Sequence, residues 1–138
     1  MDQGGMTWIV TADAAEARVF CERMRMGPVR EVAELRMAAT EEERTAGQHH
    51  RGDQRAPQHE PERRFLSRVA GRLAAAAAEG EFESLVLMGP PRALGMLKMA
   101  LPAAVTERIE VTDPHERKDD DPDAVRRHLG IARARRGS

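Results

Sequence analysis

Aromatic residues are nearly missing from this chain: one Trp, three Phe and no Tyr, 3 % of the sequence. Sheet faces that stack unpaired bases lean on such rings, so that mode of nucleic-acid recognition is disfavoured from the outset. An excess of positive charge is missing too. The formal net charge of −1 argues against a general nucleic-acid binder and leaves only local basic patches. Cys21 is the single cysteine, so no disulfide can close within the chain, and a lone thiol is expected as a small core residue. No apolar run approaches the roughly 20 residues that span a bilayer. The opening MDQGGMTWIV lacks a basic stretch leading into an apolar one, so no secretory signal is read there and a cytoplasmic location is expected.

What is present fits one soluble core. The chain has 138 residues, 41 % of them apolar and 33 % charged, enough for a single domain. MTWIVTA (6–12) is β-branched and aromatic, hence a strand; DAAEA (13–17) is a tight connection and RVFC (18–21) an antiparallel second strand. A Gly-Pro turn signal at 27–28 precedes VREVAEL (29–35), whose imperfect alternation predicts a third strand near a sheet edge. Residues 38–60 hold no aliphatic side chain larger than Ala and no periodicity, the mark of a solvated or functional loop. Pro61 then opens a helix carrying Phe65, Leu66, Val69, Leu73 and Ala76 on one face, with Gly80 as its stop. FESLVLM (82–88) reads as a strand buried on both faces, Pro91 starts a helix with Leu94, Leu97 and Leu101 inward, and RIEVT (108–112) is a fifth strand. Asp121–Pro122 cap a last helix bearing Val125 and Leu129. The expectation is one domain over 6–130, with loose tails at 1–5 and 131–138.

The order β-β-β-α-β-α-β-α predicts a three-layer α/β domain on a mixed five-stranded sheet, with the topology of ribonuclease-H-like and other Rossmannoid domains. Right-handed crossovers would bring the ends of the first and fourth strands together, so that Asp13 and Arg92 emerge on one rim. A two-metal nuclease needs several carboxylates on neighbouring strand ends, and LMGPP at the end of the fourth strand offers none. His49, His50 and His59 share the long loop without the fixed spacing of a metal site, and Asp119–Asp121 lack the pattern of a calcium loop. Ser67 and Ser84 sit in no nucleophile elbow, and Cys21 has no helix start beside it. No metal, cofactor or catalytic group is therefore expected. The most specific local feature is GPPRALG (89–95): Pro90 and Pro91 fix the backbone, Arg92 occupies the first helical turn, and Gly95 is expected to admit a close approach of the helix. Such a helix start attracts anions; the competing reading is that Arg92 pairs with Asp13 or another acid and orders the turn.

MTWIVTADAAEARVF together with EFESLVLMGPPRALGMLKMAL resembles the host attachment protein family. The first motif falls on Trp8, Ala12, Asp13, Ala17, Arg18 and Phe20; the second on Leu85–Leu87, Pro90–Arg92, Leu94, Gly95 and Leu97. TDPHERKDDD departs from the D-K-D-L-T segment usual in the family. The resemblance implies a fold similar to the middle domain of archaeo-eukaryotic release factors, whose corresponding loop carries a Gly-Gly-Gln tip; Ala46-Gly47-Gln48 is an imperfect echo of it. Two functional expectations follow. The leading one is a non-enzymatic protein that binds a partner or an anionic ligand through Asp13, Arg18, Pro90, Pro91, Arg92 and Gly95. The rival is a ribosome-associated peptidyl-tRNA hydrolase or rescue factor acting through Gln48, with nucleic acid met only on the ribosome. An exposed edge strand adds a third expectation, a homo-oligomer.

Overall fold

A computed structural model describes residues 5–45 and 59–136. Its strands are β1 (Thr7–Ala12), β2 (Glu16–Glu22), β3 (Val29–Glu31), β4 (Met37–Ala38), β5 (Ser84–Met88) and β6 (Ile109–Asp113); its helices are α1 (Glu41–Arg44), α2 (Glu60–Ala78), α3 (Pro91–Ala100), α4 (Ala103–Thr106) and α5 (Pro122–Arg136). The sheet runs β3-β2-β1-β5-β6, with β4 also pairing β2. β1 is antiparallel to β2 and parallel to β5, which is parallel to β6. The mixed α/β architecture is the one expected, with six strands in place of five.

The expected third strand over 29–35 is cut short at Glu31, and the extra strand, β4, lies just beyond it. β3 pairs only with residues 20–22 of β2. A 3-10 turn at Ala33–Leu35 then carries the chain along the edge, and β4 returns to pair with Glu16 and Ala17. The imperfect alternation of 29–35 is the trace of that interruption.

Helices cover both faces, which explains strands buried along their whole length. On one face Trp8, Val10, Val19, Leu85 and Leu87 pack with α2 and α3 through Phe65, Leu66, Leu73, Leu94 and Leu97. On the other, Ile9, Phe20, Val86 and Met88 meet Val125 and Leu129 of α5. α2 begins with Pro61 in its first turn and ends at Gly80 (φ 72), where the amides of Gly80 and Glu81 donate to the carbonyls of Ala77 and Ala76. That is a Schellman closure, and its left-handed residue favours glycine.

Two segments expected to be loose are structured in part. The start of the 38–60 stretch forms α1, whose Thr40 hydroxyl accepts from the Glu43 amide while the Glu43 carboxylate accepts from the Thr40 amide. Arg68 of α2 donates to Glu43 and to the Ala38 carbonyl and ties α1 down. Gln48, His49 and His50 lie outside the described residues. At the other end α5 runs on to Arg136, through the expected tail, because Arg133 is clamped. The Glu22 carboxylate, 0 % exposed, accepts from Arg126 at 2.7 Å and from Arg133 at 2.7 and 2.8 Å. Burial alone would raise its pKa, but these two guanidiniums hold it at about 2. Arg133 also bonds Glu110 of β6, which Arg25 reaches from the β2–β3 connection. Among the described residues no helix is long and apolar enough to cross a membrane.

Candidate functional site

The C-terminal ends of β1, β5 and β6 form one rim, the place where open α/β sheets commonly expose their loops to ligands. At the end of β1 the Asp13 carboxylate accepts from the amides of Ala15 and Glu16, at 2.9 and 2.8 Å, and so shapes the turn into β2. At the end of β5, Gly89 lies against β1: a side-chain carbon there would collide with the Ala12 carbonyl. Pro90 follows in an extended conformation and Pro91 opens α3, so Arg92 projects from its first turn. The amide of Leu94 already donates to the Pro90 carbonyl.

Asp13, Glu62, Pro90, Pro91, Arg92 and Glu116 line one open hollow of about 460 Å³. Asp13 and Arg92 are thus neighbours along a shared edge. They do not pair: Arg92 reaches Glu62 of α2 at 3.4 Å, and His59 meets the same carboxylate oxygen at 3.0 Å. Glu116, from the connection after β6, lies close to Asp13. Its own burial, and then the neighbouring Asp13 charge, raise its pKa above the usual value. The hollow therefore carries three carboxylates against one guanidinium, which is already paired.

Other sequence-expected residues fall elsewhere. Arg18 is 8 % exposed and lies on the α5 face, across from Thr11. It makes a two-pronged pair with Glu31, donates to the carbonyls of Lys118 and Asp120, and stacks over the Phe20 ring. It holds the connection before α5 in place and does not line the hollow. Gly95 is a correction: it is exposed on α3, with nothing within 4 Å of a side-chain carbon built there, so no close approach depends on it. Pro90 and Pro91 stand in the hollow's wall.

The sequence singled out neither Asp113 nor Glu116, and it offered Glu62 only as an acid at the start of a helix. Asp113 ends β6 and is 5 % exposed; burial pushes its pKa up, but bonds from Arg117 (2.9 Å) and His115 (2.6 Å) outweigh that and hold it low. Its carbonyl accepts from the Gly89 amide, which stitches the β6 end to the proline corner. A carboxylate at the last position of a parallel strand was a readable signal. Glu62 and Glu116 come together with Asp13 only through the tertiary fold. Among the described residues, no group of three or more His, Cys, Asp or Glu is arranged to hold a metal ion.

The chain is similar over 90 % of its length to 32 % of a solved chain described as an archaeal protein (12 % identity, TM-score 0.55). It is similar over 95 % of its length to 34 % of the Pelota protein of Thermoplasma acidophilum (12 % identity, TM-score 0.50). An archaeal translation termination factor, aRF1, matches at 10 % identity and a TM-score of 0.49, over 91 % of this chain and 38 % of that one. This chain thus spans about a third of the solved chains it matches, and at such identities the likeness is one of fold. No curated protein matches it. A family described as "Protein required for attachment to host cells" matches residues 8–129, which include both motifs and every residue of the rim. The chain belongs to that family.

Proposed function

We propose that this chain serves an attachment-related role by binding, with the rim hollow as its contact surface, and that it catalyses no reaction there. The observation that carries the reading is convergence: the β1–β2 turn, the start of α2, the proline corner and the connection after β6 all supply side chains to one hollow. The charge balance favours a basic group of a partner over the anion that GPPR alone pointed to, because Glu62 already neutralises Arg92 while Asp13 and Glu116 crowd each other. A photo-crosslinking residue at Ala15, which is exposed and lines the hollow, tests this in cells. Partners captured there should be absent when the crosslinker sits at Met99, at the far end of α3, and should be lost with Glu116→Lys. Partners retained by Glu116→Lys and by Arg92→Ala alike would remove the rim as the contact surface.

The rival reading, ribosome rescue through Gln48, rests on the resemblance to release-factor middle domains; that residue lies outside the described ones. Peptidyl-tRNA release from stalled ribosomes that disappears in Gln48→Ala would establish it; failure to co-sediment with ribosomes would eliminate it.

A further inference from the structure

The end of the sheet opposite the rim carries a second surface, which the rim reading leaves unused. β2 and β3 are joined there through Arg23–Pro28, and β3 is the last strand in the sheet order. Met24 and Met26 project from this connection 70 % and 72 % exposed. Met26 has φ 72, a left-handed conformation disfavoured for any residue with a side chain and unusual for one this bulky. The structure holds it there. Its amide donates to the buried Glu22 carboxylate at 3.1 Å, and the next amide, Gly27, donates to the Met24 carbonyl at 2.8 Å. Glu22 is itself fixed by Arg126 and Arg133 of α5. The local hydrogen bonds thus account for the left-handed backbone, and the result is a large apolar side chain presented to water.

Beside the methionines lies a hollow of about 380 Å³ lined by Cys21, Arg23, Met24, Pro28 and Arg30. It adjoins a second of about 400 Å³ that shares Cys21, Arg23 and Arg30 and reaches Trp8 and Leu35; Glu34 and Glu81 stand in the wall of that second hollow, so the first is the one lined by arginines without a carboxylate. The floor is apolar: Cys21 and Trp8 are 4 % and 5 % exposed. Arg23 and Arg30 flank that floor and have no hydrogen-bond or ion-pair partner among the described residues, whereas Arg25 between them is paired with Glu110. Two uncompensated guanidiniums beside an apolar hollow complement a large apolar side chain flanked by carboxylates, which arginine binds in a two-pronged fashion. Methionine walls adapt to more than one such side chain. A lipid surface would touch the methionine tips and leave the hollows empty, so concavity favours a peptide.

We propose that the β2–β3 corner docks an extended acidic segment of a partner protein, seating one large apolar side chain in the Cys21 hollow between Arg23 and Arg30. A display library of random short peptides, selected against the intact chain, supplies the probe. The selected sequences should carry Asp or Glu on both sides of a large apolar residue. Their affinity, read by fluorescence anisotropy, should fall at least about tenfold in Arg23→Ala/Arg30→Ala and in Met24→Ser. It should hold in Arg92→Ala, which separates this surface from the rim. Peptides that are not acidic, no selected peptide at all, or equal binding by the double variant would each overturn the proposal. So would arginine-dependent binding to phosphatidylglycerol vesicles in place of peptide, or occupation of the corner by a second copy of the chain in light scattering.

Discussion

Gly89 and Gly95 frame the same proline corner and meet opposite surroundings. At Gly89 an added methyl group has the Ala12 carbonyl in its way, and that backbone belongs to the neighbouring strand. It can yield only if β1 and β5 separate at the rim. Gly89→Ala is therefore expected to destabilise the fold by about 1–3 kcal/mol, the usual range for overpacking a tight contact. Gly95 lies in the interior of α3 over open space, where glycine is a poor helix former. Gly95→Ala should stabilise by about 0.5–1 kcal/mol. Chemical denaturation of the two variants beside the parent checks both, and equal shifts of one sign would refute the assignment. The motif that contains these glycines was conspicuous in the sequence. Which of them touches another strand was not, since that depends on the parallel pairing of β1 with β5.

α5 is attached less by its apolar face than its position as a whole layer would require. Val125, Leu129 and Ala132 are its buried side chains, and the guanidinium pair on Glu22 completes the joint. Glu22→Gln removes the charge and leaves Arg126 and Arg133 facing a neutral group in a dry site. The expected cost is about 3–5 kcal/mol, as for other broken buried pairs, with amide exchange accelerated along α5. The pH dependence follows from the same carboxylate. Its folded pKa is depressed from 4.5 to about 2, so its contribution is full above about 4.5 and is lost as pH falls towards about 2. Thermal midpoints should drop across that window in the parent, and the drop should be shallower in Glu22→Gln. Pro61, Pro91 and Asp121–Pro122 had marked where α2, α3 and α5 begin, and periodicity most of the large side chains they bury. Neither signal could reveal this joint, because Glu22 looks like an ordinary acid at a strand end and Arg133 like part of a basic tail. α1 was missed for a different reason. Thr40-x-x-Glu43 is a readable capping box, but a single short turn survives only because Arg68 braces it from α2.

The layers together set the length of chain that the fold needs. Family likeness ends at residue 129 and the last large aliphatic anchor is Leu129, so sequence logic closes the domain near Gly130, although Ala132 is buried beyond it. The structure carries the joint past that point. Arg133 is the residue that spans Glu22 on β2 and Glu110 on β6, strands that lie on either side of β1 and β5. It therefore braces the sheet across its width as well as holding α5 against it. A chain cut after Gly130 keeps Val125, Leu129 and Arg126 but leaves Glu22 with half its partners and Glu110 with Arg25 alone. A chain cut after Arg136 keeps every contact of that joint. The shorter chain should lose several kcal/mol of stability relative to the longer, in the range of about 3–5 kcal/mol given for a buried charge left short of its partner. Because Glu22 also holds the left-handed Met26 through its amide, the shorter chain should bind the peptides selected for the β2–β3 corner more weakly while its rim stays intact. Denaturant midpoints and peptide affinity, measured on both chains, test the two halves of that expectation separately. Equal midpoints would show that Val125 and Leu129 suffice to hold α5 and that the arginine brace is incidental.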